Sequence, residues 1–266
     1  MSLSARQRHE REYYDKYVHY TGKQPPLQPL RLAETRAFNP YWYIMKVIKE
    51  EFRDPTQRLL DFGCGPGRYG VMAAQIGFNV YGFDISIGNV VAARALAARY
   101  KMTARAHFCQ GVAESLCYPD NFFDVIAGVD ILHHVDIPTA IRECRRVLKP
   151  GGLATFKEPL EAVLFEPIRR SWLGRRIAPQ SMSFERHITE DERKISRGEL
   201  AAIAREFPSM RVERFRLLSR LEPFLGRRAM TPEGASRIEP LDRQLLRLGC
   251  FKPLAGAGVL LLRKES

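Results

Sequence analysis

Between residues 57 and 157, short apolar runs alternate with segments of helical periodicity, and glycine-rich or polar turns separate them. The apolar runs predict strands at residues 57–62, 78–84, 106–110, 122–129 and 153–157. The intervening segments predict helices at residues 68–76, from Ser86 through the alanine-rich stretch 90–98, and at 139–148. Because strands that alternate with helices form parallel sheets, the pattern predicts a doubly wound α/β fold.

The flanking segments depart from this alternation. Residues 1–56 predict a helical lid segment, and residues 57–266 a Rossmann-like domain. From 158 to 195 the sequence is punctuated by proline and rich in arginine, which predicts an insertion over the carboxyl edge of the sheet. A capping box at Ser196–Glu199 then opens a helix. Two late strands, at 211–218 and 258–263, complete a mostly parallel sheet of seven strands.

The formal charge of +12 is unevenly distributed over the 266 residues. Residues 59–156 hold 9 Lys/Arg and 8 Asp/Glu, so the basic excess lies in the flanks, where acids are interspersed with it. This mixture is typical of a solvated surface, and nucleic acid or an anionic membrane is the alternative partner. The N-terminus has no apolar signal region and no apolar run approaches membrane length, so we expect a cytoplasmic protein.

The five cysteines suggest neither a metal site nor a disulfide framework. They lie at positions 64, 109, 117, 144 and 250, without a C-x-x-C pair or a cluster of histidines. We therefore predict reduced thiols in or near the core and no metal.

The segment Leu59–Gly70 runs from an apolar strand through Asp61 into a turn with glycines at positions 63, 65, 67 and 70. Such glycines permit positive φ angles and let a ligand approach the backbone. The spacing also satisfies the G-x-G-x-x-G pattern of dinucleotide-binding proteins. Because a carboxylate beside a pyrophosphate is unfavourable, Asp61 favours a ligand with a cationic group over a nicotinamide dinucleotide.

In a doubly wound sheet, ligands bind beyond the carboxyl ends of the strands. There the chain places the glycine turn, then Asp84, then Gly111–Glu114, then Asp130–His134. Together with the segments that flank them, these four groups of residues resemble the small-molecule branch of the class I S-adenosylmethionine-dependent methyltransferases. The matching segments, in order, are Leu60–Gly67, Gly82–Ser86, Ala113–Leu116, Phe123–Ile126, Leu132–Val135 and Glu143–Gly152.

The resemblance implies S-adenosylmethionine as cofactor and S-adenosylhomocysteine as product. Asp61 and the turn of Gly63, Gly65 and Gly67 would then hold the methionine part. The remaining implied contacts are Asp84 with the ribose hydroxyls, Ile85 and Ala113 with adenine, and Val129 at the end of the fourth strand. Many relatives have an acid where this chain has Val112, so the contact there is apolar and Glu114 is the alternative hydrogen-bond acceptor for adenine. A helix cap is the alternative role for Asp84.

His133 and His134 lie where the acceptor would meet the methyl group, and a histidine there can take the acceptor's proton. The alternative is a buried hydrogen-bonding histidine. By resemblance to the lid helix of related enzymes, Tyr14 would approach the cofactor, although tyrosines on such a helix also serve packing. Arg36 is a further candidate, for the cofactor carboxylate.

The acceptor is predicted to be a small, partly apolar or lipid-like molecule. Aromatic residues in the insertion favour this interpretation, and the basic and apolar stretch 214–228 is compatible with peripheral contact with an anionic membrane. The segment after strand four lacks the Asn/Asp-Pro-Pro-aromatic motif of enzymes that methylate adenine in DNA, so we expect no nucleic acid partner. A methyltransferase for nucleic acid or protein, and a NAD-binding oxidoreductase, are the alternatives.

Overall fold

A computed structural model of the protein describes residues 3–21, 25–161, 194–219 and 232–265. Its strands are β1 (Arg58–Phe62), β2 (Asn79–Asp84), β3 (Ala106–Gln110), β4 (Phe123–Val129), β5 (Leu148–Pro159), β6 (Arg211–Phe215) and β7 (Ala257–Arg263). They form one sheet in the order β3-β2-β1-β4-β5-β7-β6. Strand β7 runs antiparallel to its neighbours β5 and β6, and the other neighbouring pairs of these strands are parallel. The predicted α/β fold with a mostly parallel sheet of seven strands is confirmed.

The helices in the described ranges are α1 (Ala5–Thr21), α2 (Leu32–Thr35), α3 (Pro40–Glu51), α4 (Arg68–Ile76), α5 (Ile87–Arg99), α6 (Ile137–Val147), α7 (Arg197–Glu206) and α8 (Pro232–Arg247). Short 3-10 turns at Leu132–His134 and Gly249–Leu254 supplement them. The helical character predicted for the N-terminal segment is confirmed. The division of the chain at residue 56 stays a prediction.

Local hydrogen bonds explain where several elements begin and end. Ser86 and Ser196 cap α5 and α7 as predicted, and Ser196 forms the full capping box with Glu199. Helix α6 begins before residue 139 because the Asp136 side chain caps it. Strand β6 ends at Phe215, short of the predicted 218, because the next backbone N–H groups bond to the Asp242 carboxylate.

Strand β5 is longer than predicted and contains an irregularity. It begins at Leu148, whereas the prediction began at 153. Its pairing with β4 shifts register between Phe123 and Val125, and Gly151 adopts a φ of 74° beside this shift. The glycine-rich segment 150–152 therefore lies inside the strand and bends its start.

Helices cover both faces of the sheet. On one face, Phe62, Phe123 and Phe156 pack with residues of α6 and α7. On the other, Leu59 and Val80 pack with residues of α3, α4 and α5. This arrangement leaves the carboxyl ends of β1, β2, β3, β4 and β5 at one edge. No helix in the described ranges has both the length and the apolar character to cross a membrane.

The ends of the predicted insertion lie side by side. Leu160 pairs with Ile195 in an isolated bridge that extends from the end of β5. Residues 162–193, which include the predicted substrate-side aromatic residues Phe165, Trp172 and Phe184, lie outside the described residues.

Candidate active site

The turn after β1 brings three glycines with positive φ to the carboxyl edge: 67° at Gly63, 48° at Gly65 and 79° at Gly67. A Cβ on Gly63 would lie 2.5 Å from the Ile131 side chain, and one on Gly67 would lie 2.6 Å from the Cβ of Ala93. A Cβ on Gly65 would meet nothing within 4 Å. Gly63 and Gly67 are therefore needed for packing, whereas Gly65 leaves space in which a ligand can reach the backbone.

Asp61 and Asp84 are buried beside this turn. The Oδ2 atom of Asp61 accepts the Gly70 N–H at 2.8 Å. Burial raises the pKa of Asp61 to about 7; the hydrogen bond from Gly70 opposes this rise, and the nearby Asp84 carboxylate adds to it. A bound cation beside Asp61 would favour its ionised form, so the site suits a positively charged ligand group.

Asp84 braces the glycine turn against the start of α5. Its Oδ2 accepts the Gly65 N–H at 2.8 Å, and its Oδ1 accepts the Ser86 N–H at 2.9 Å and an Asn89 side-chain N–H at 3.1 Å. Burial raises the pKa of Asp84, although these three hydrogen bonds act against the shift. The N-cap of α5 is Ser86, so Asp84 supports the cap without being it.

The loops after β2 and β3 form the next part of the edge. Ile85 is half-buried, and its carbonyl accepts a hydrogen bond from Gln110 at 3.0 Å. Val112 forms an isolated bridge with Ser115, and Ala113 between them is buried. These residues lie near one another at the carboxyl ends of β2 and β3, where the sequence predicts adenine contacts.

Glu114 connects two helices. One carboxylate oxygen accepts from the Gln7 side chain at 2.9 Å, and the other accepts the Asp136 N–H at 3.0 Å. The carboxylate therefore braces α1 against the start of α6. Its predicted role as the acceptor for adenine stays a prediction, and these two contacts compete with it.

His133 is fully buried after β4, next to a partner that the sequence analysis did not name. Its Nδ1 lies 2.6 Å from Oε2 of Glu158, a residue of β5 with no exposed surface. The other Glu158 oxygen accepts the backbone N–H groups of Ile131 at 2.9 Å and Leu132 at 2.7 Å. Glu158 therefore fixes both the loop after β4 and the orientation of the His133 ring.

His134 faces α1. Its Nδ1 lies 3.3 Å from the Glu10 carboxylate, and its Nε2 lies 3.2 Å from the Tyr14 hydroxyl. The His133 and His134 rings are 4.1 Å apart between centroids. The structure thus brings the two predicted histidines together, and it places Tyr14, predicted beside the cofactor, against His134.

Helix α1 also contacts the other loops of the carboxyl edge. Arg6 donates to the His133 carbonyl at 3.0 Å, and Gln7 reaches Glu114 after β3. Asp15 accepts from the Ser86 hydroxyl at 2.5 Å and from the Gly88 N–H at 3.3 Å, at the start of α5. The helix therefore covers the edge after β2, β3 and β4, as a lid would.

Two further candidates lie at the margins of this edge. Val129, the last residue of β4, is half-buried. Arg36 pairs with Glu239 of α8 at 2.5 Å, and the same carboxylate oxygen accepts from Asn39 at 3.0 Å. The structure thus gives Arg36 a partner on the C-terminal helix, and its contact with a cofactor carboxylate stays a prediction.

A second group of polar residues joins the ends of β4 and β5. The Lys157 ammonium lies 2.5 Å from Asp130 Oδ1 and 3.0 Å from the Tyr41 hydroxyl, which donates to Asp130 Oδ2 at 2.9 Å. Burial acts to lower the pKa of Lys157, but the Asp130 charge and Tyr41 outweigh it, so the pKa is raised. Lys157 therefore stays charged at neutral pH.

Asp130, His133 and Glu158 each offer one potential metal ligand, and these ligand atoms lie within 4.8 Å of one another. In the described structure, Glu158 already bonds to His133 and Asp130 to Lys157. The predicted absence of a metal stays a prediction.

A signal for Glu158 and Lys157 was present in the sequence. Both occur at the end of β5, where the rule that strand ends carry chemistry marks them as candidates. Tyr41, the partner of Lys157, and Glu10, the partner of His134, lie in the N-terminal helices, far away in the chain, and no local pattern marks them.

A sheet in this order, with β7 antiparallel and acids in the last residues of β1 and β2 beside a glycine turn, is the fold of the class I S-adenosylmethionine-dependent methyltransferases. Comparison with known proteins agrees. Residues 60–156 match the model of the methyltransferase domain family. The match lies within this part of the chain, which is similar to that family.

The similar proteins of known sequence include ubiquinone biosynthesis O-methyltransferases. That of Cereibacter sphaeroides is 32% identical over 162 residues, which cover 56% of this chain and 65% of the relative. That of Chelativorans sp. is 35% identical over 159 residues, covering 53% of this chain and 58% of the relative. The match thus spans less than two thirds of these enzymes.

Solved structures resemble the chain over its whole length. Geranyl diphosphate C-methyltransferase from Streptomyces coelicolor gives a TM-score of 0.61 at 16% identity and covers 100% of both chains. The [4+2]-cyclase SpnF gives 0.59 at 20% identity, covering 100% of this chain and 98% of the cyclase. These identities establish the fold alone, and the cyclase illustrates that one fold carries different reactions.

Proposed function

We propose that this protein transfers the methyl group of S-adenosylmethionine to a small-molecule acceptor. The observation that carries the proposal is the pair of buried carboxylates, Asp61 and Asp84, at the ends of adjacent strands beside the open face of Gly65. This arrangement suits a ligand with a cationic group and a pair of ribose hydroxyls. The methyltransferase domain match and the O-methyltransferase relatives support the same reaction.

The cofactor would lie across the ends of β1, β2 and β3. Asp61 and the Gly63–Gly67 turn are proposed to hold its methionine part, and Asp84 its ribose. Ile85, Val112 and Ala113 would form the adenine contact. Val129 would border the site where β4 ends. When bound, the cofactor supplies a methyl group on a sulfonium, which is an excellent leaving group.

The transfer is an in-line displacement. A bond forms between the acceptor atom and the methyl carbon while the carbon–sulfur bond breaks, and its electron pair goes to sulfur. Because this leaving group needs no assistance, alignment and exclusion of water supply much of the acceleration. The chain's own contribution is therefore to orient the acceptor and to receive its proton.

The two histidines are proposed for the proton. His133 is oriented by Glu158, and His134 by Glu10 and Tyr14, so both rings are held in defined positions. A histidine held in this way resembles the carboxylate-oriented general bases of other enzymes. Glu10 and Tyr14 of α1 occupy both ring nitrogens of His134, so His134 would receive the proton through the Tyr14 hydroxyl, which would pass its own proton to Nε2.

The acceptor is proposed to be at least partly apolar, in keeping with the names of the relatives, which belong to ubiquinone biosynthesis. A peripheral membrane contact finds less support. In the described part of the basic and apolar stretch 214–228, Phe215 and Leu217 are buried and so do not face a membrane. The rest of that tail, residues 220–228, lies outside the described residues. Cytoplasmic residence also stays a prediction.

Incubation with methyl-labelled S-adenosylmethionine and a small-molecule extract tests this function. We expect labelled products, identified by mass spectrometry, together with S-adenosylhomocysteine. Glu158→Gln weakens the orientation of His133 and should lower turnover at least tenfold near pH 7, with a smaller loss at higher pH, where acceptors ionise without help. A normal rate in Glu158→Gln would remove His133 from the proposal, and the absence of any labelled product would contradict methyl transfer.

A further inference from the structure

The five cysteines of the chain are free thiols that differ in exposure. Cys64 and Cys144 are buried, in agreement with the predicted position in or near the core, and Cys109 is half-buried. Cys117 and Cys250 are exposed, so for these two that prediction is wrong. Because a thiol reacts only where a reagent can reach it, the exposed cysteines and their neighbours are the places to look for thiol chemistry.

The chain turns back on itself between Cys109 and Cys117. Cys109 belongs to β3, and beyond the end of this strand Val112 pairs with Ser115 in an antiparallel bridge. The chain therefore reverses direction over these four residues and returns beside the end of β3. Tyr118, which directly follows Cys117, places its hydroxyl 3.7 Å from the Cys109 Sγ. The fold thus makes neighbours of two cysteines that bracket a short loop.

The backbone on both sides of Cys117 is held by one side chain of α6. The Arg146 guanidinium donates to the Leu116 carbonyl at 3.0 Å and to the Tyr118 carbonyl at 2.8 Å. Hydrogen bonds from a charged donor are stronger than those between neutral groups. Cys117 therefore keeps a defined position near β3, although its own side chain is exposed.

The surroundings of the two thiols suit them to different steps. Burial raises the pKa of Cys109; the hydrogen bond with Tyr118 opposes this rise, and the neighbouring Cys117 thiol adds to it. Cys109 is therefore mostly protonated at neutral pH and is shielded from large reagents. Cys117 is open to solvent, so an incoming reagent meets Cys117 first and Cys109 second.

We propose that Cys109 and Cys117 form a modification site, which small-molecule disulfides such as oxidised glutathione convert into an intramolecular disulfide. The Cys117 thiolate attacks one sulfur of the reagent, whose S–S bond breaks and releases one glutathione thiolate. The Cys109 thiolate then attacks the Cys117 sulfur and displaces the second glutathione, which leaves with the electron pair of the broken bond. The protein loses two electrons and two protons, and two molecules of reduced glutathione take them up.

The new bond would act on the cofactor site, and this consequence rests on the proposed function. The loop that it closes, residues 110–116, carries the proposed adenine contacts Val112 and Ala113, and also Glu114, which braces α1. A disulfide imposes a fixed geometry on the two cysteines, and Cys109 must give up its contact with the Tyr118 hydroxyl to form it. Because the loop between them must adjust, we expect the oxidised protein to bind S-adenosylhomocysteine more weakly.

Peptide mapping tests whether the disulfide forms. The protein is incubated with oxidised glutathione at pH 8, its remaining thiols are alkylated, and it is digested without reduction by a protease that cleaves after glutamate. Cleavage after Glu114 leaves Cys109 and Cys117 in separate peptides, which mass spectrometry finds together only if a disulfide joins them. We expect these linked peptides as the main oxidised product, and we expect dithiothreitol to separate them.

Two variants identify the bonded cysteines, and a third serves as the control. Cys117→Ser should abolish the linked peptides, and so should Cys109→Ser, which is needed because Cys64 lies in the same peptide as Cys109. The matched control is Cys250→Ser, which removes the other exposed thiol, in the 3-10 turn Gly249–Leu254. This control should form the linked peptides as the unaltered protein does.

Calorimetry with S-adenosylhomocysteine measures the consequence for the cofactor site. We expect the oxidised protein to bind about ten times more weakly than the reduced protein, a loss equivalent to about one hydrogen bond. Dithiothreitol should restore the affinity. Cys117→Ser should bind equally well with and without oxidised glutathione, whereas Cys250→Ser should respond as the unaltered protein does.

Absence of the linked peptides from the oxidised protein overturns the inference, and so does their persistence in Cys109→Ser. If Cys109→Ser does not fold, fragmentation of the linked peptides from the unaltered protein identifies the bonded cysteine in its place. Equal affinity of the oxidised and reduced proteins for S-adenosylhomocysteine also overturns the inference. If the reduced protein does not bind this ligand, the proposed function fails, and the peptide map still decides whether the modification site exists.

Discussion

At the scale of single residues, Asp61 shows how burial prepares a site for its ligand. The carboxyl group has little contact with water and one hydrogen bond from Gly70, so its pKa rises to about 7. In the free protein it is then partly protonated at neutral pH. A ligand ammonium beside it would draw the equilibrium toward the carboxylate, so binding and proton release are coupled.

The first prediction concerns this coupling. Above pH 7 the Asp61 carboxyl group is already ionised. Below pH 7 it must first lose a proton before it can pair with a cation. S-adenosylhomocysteine should therefore bind more tightly as pH rises from 6 to 8. Calorimetry in buffers of different ionisation enthalpy measures the released proton. Asp61→Asn should bind more weakly and lose this pH dependence. An unchanged dependence in Asp61→Asn would show that another group is responsible.

The stability effect of Asp61 has the opposite sign. Its pKa is raised above the ordinary value of 3.8, so the folded protein holds a proton that the unfolded chain has released between about pH 4 and 7. The contribution of Asp61 to folding is therefore fully present below about pH 4 and is lost as pH rises through 7. Ligand binding and folding thus respond to this residue in opposite directions.

The second prediction compares two glycines. Gly65 and Gly151 both have a positive φ, and a Cβ on either would meet nothing within 4 Å. Alanine at either position should cost about 1 kcal/mol of unfolding free energy, because L residues are strained there. Only Gly65→Ala should also weaken S-adenosylhomocysteine, by at least tenfold in calorimetry. Equal ligand affinity in the two variants would place the cofactor away from Gly65.

At the scale of elements, the sequence pattern was sufficient for the sheet and its helices because each signal is local. Apolar runs locate β1 to β4, and the Ser86 and Ser196 caps locate α5 and α7. The end of β6 was missed because a distant residue intervenes: Asp242 binds the N–H groups that would continue the strand. No periodicity in residues 211–218 indicates that contact.

The candidate site divides in the same way. Asp61, Asp84 and the two histidines could be predicted because ligands bind at the carboxyl ends of the strands. Glu10 and Tyr41 could not, because they reach the site only through the packing of α1 and α3 on the sheet. Their recognition depends on contacts between residues about 90 to 120 positions apart. Side chains from a lid are therefore the part of such a site that sequence spacing is least able to predict.

The third prediction concerns the attachment of α1. Asp15 accepts hydrogen bonds from Ser86 and Gly88 at the start of α5, and hydrogen bonds to charged groups contribute about 1.5–3 kcal/mol. Asp15→Ala should therefore speed amide hydrogen exchange in α1 about tenfold or more. Glu12→Ala, an exposed position on the same helix, is the control and should not. Unchanged exchange in Asp15→Ala would mean that other contacts hold the lid.

At the scale of the whole molecule, α8 contacts two segments that are far apart in the chain. The Glu239 carboxylate accepts hydrogen bonds from the side chains of Arg36 and Asn39 in the N-terminal segment. Asp242, buried one turn later, accepts the backbone N–H groups of Leu217, Leu218 and Ser219 and also the Ser219 hydroxyl. Through these two acids, α8 links the segment before α3 to the segment after β6.

The fourth prediction tests this link. Asp242→Ala leaves buried N–H groups without their acceptor, so we expect a loss of about 3 kcal/mol in the free energy of unfolding by urea. The control is Asp120→Ala, which removes a carboxylate whose side chain is 70% exposed. Its loss should stay within about 1 kcal/mol. A similar small loss for Asp242→Ala would show that water readily replaces the carboxylate.

The central claim is that S-adenosylmethionine binds at the carboxyl edge of this sheet. Titration calorimetry with S-adenosylhomocysteine tests it most directly, using the unaltered protein, Asp84→Asn and the control Asp124→Asn from the opposite edge. We predict saturable binding that Asp84→Asn weakens at least tenfold and Asp124→Asn leaves unchanged, with no binding of NAD. Binding of NAD in its place, or equal affinity in all three proteins, would contradict the claim.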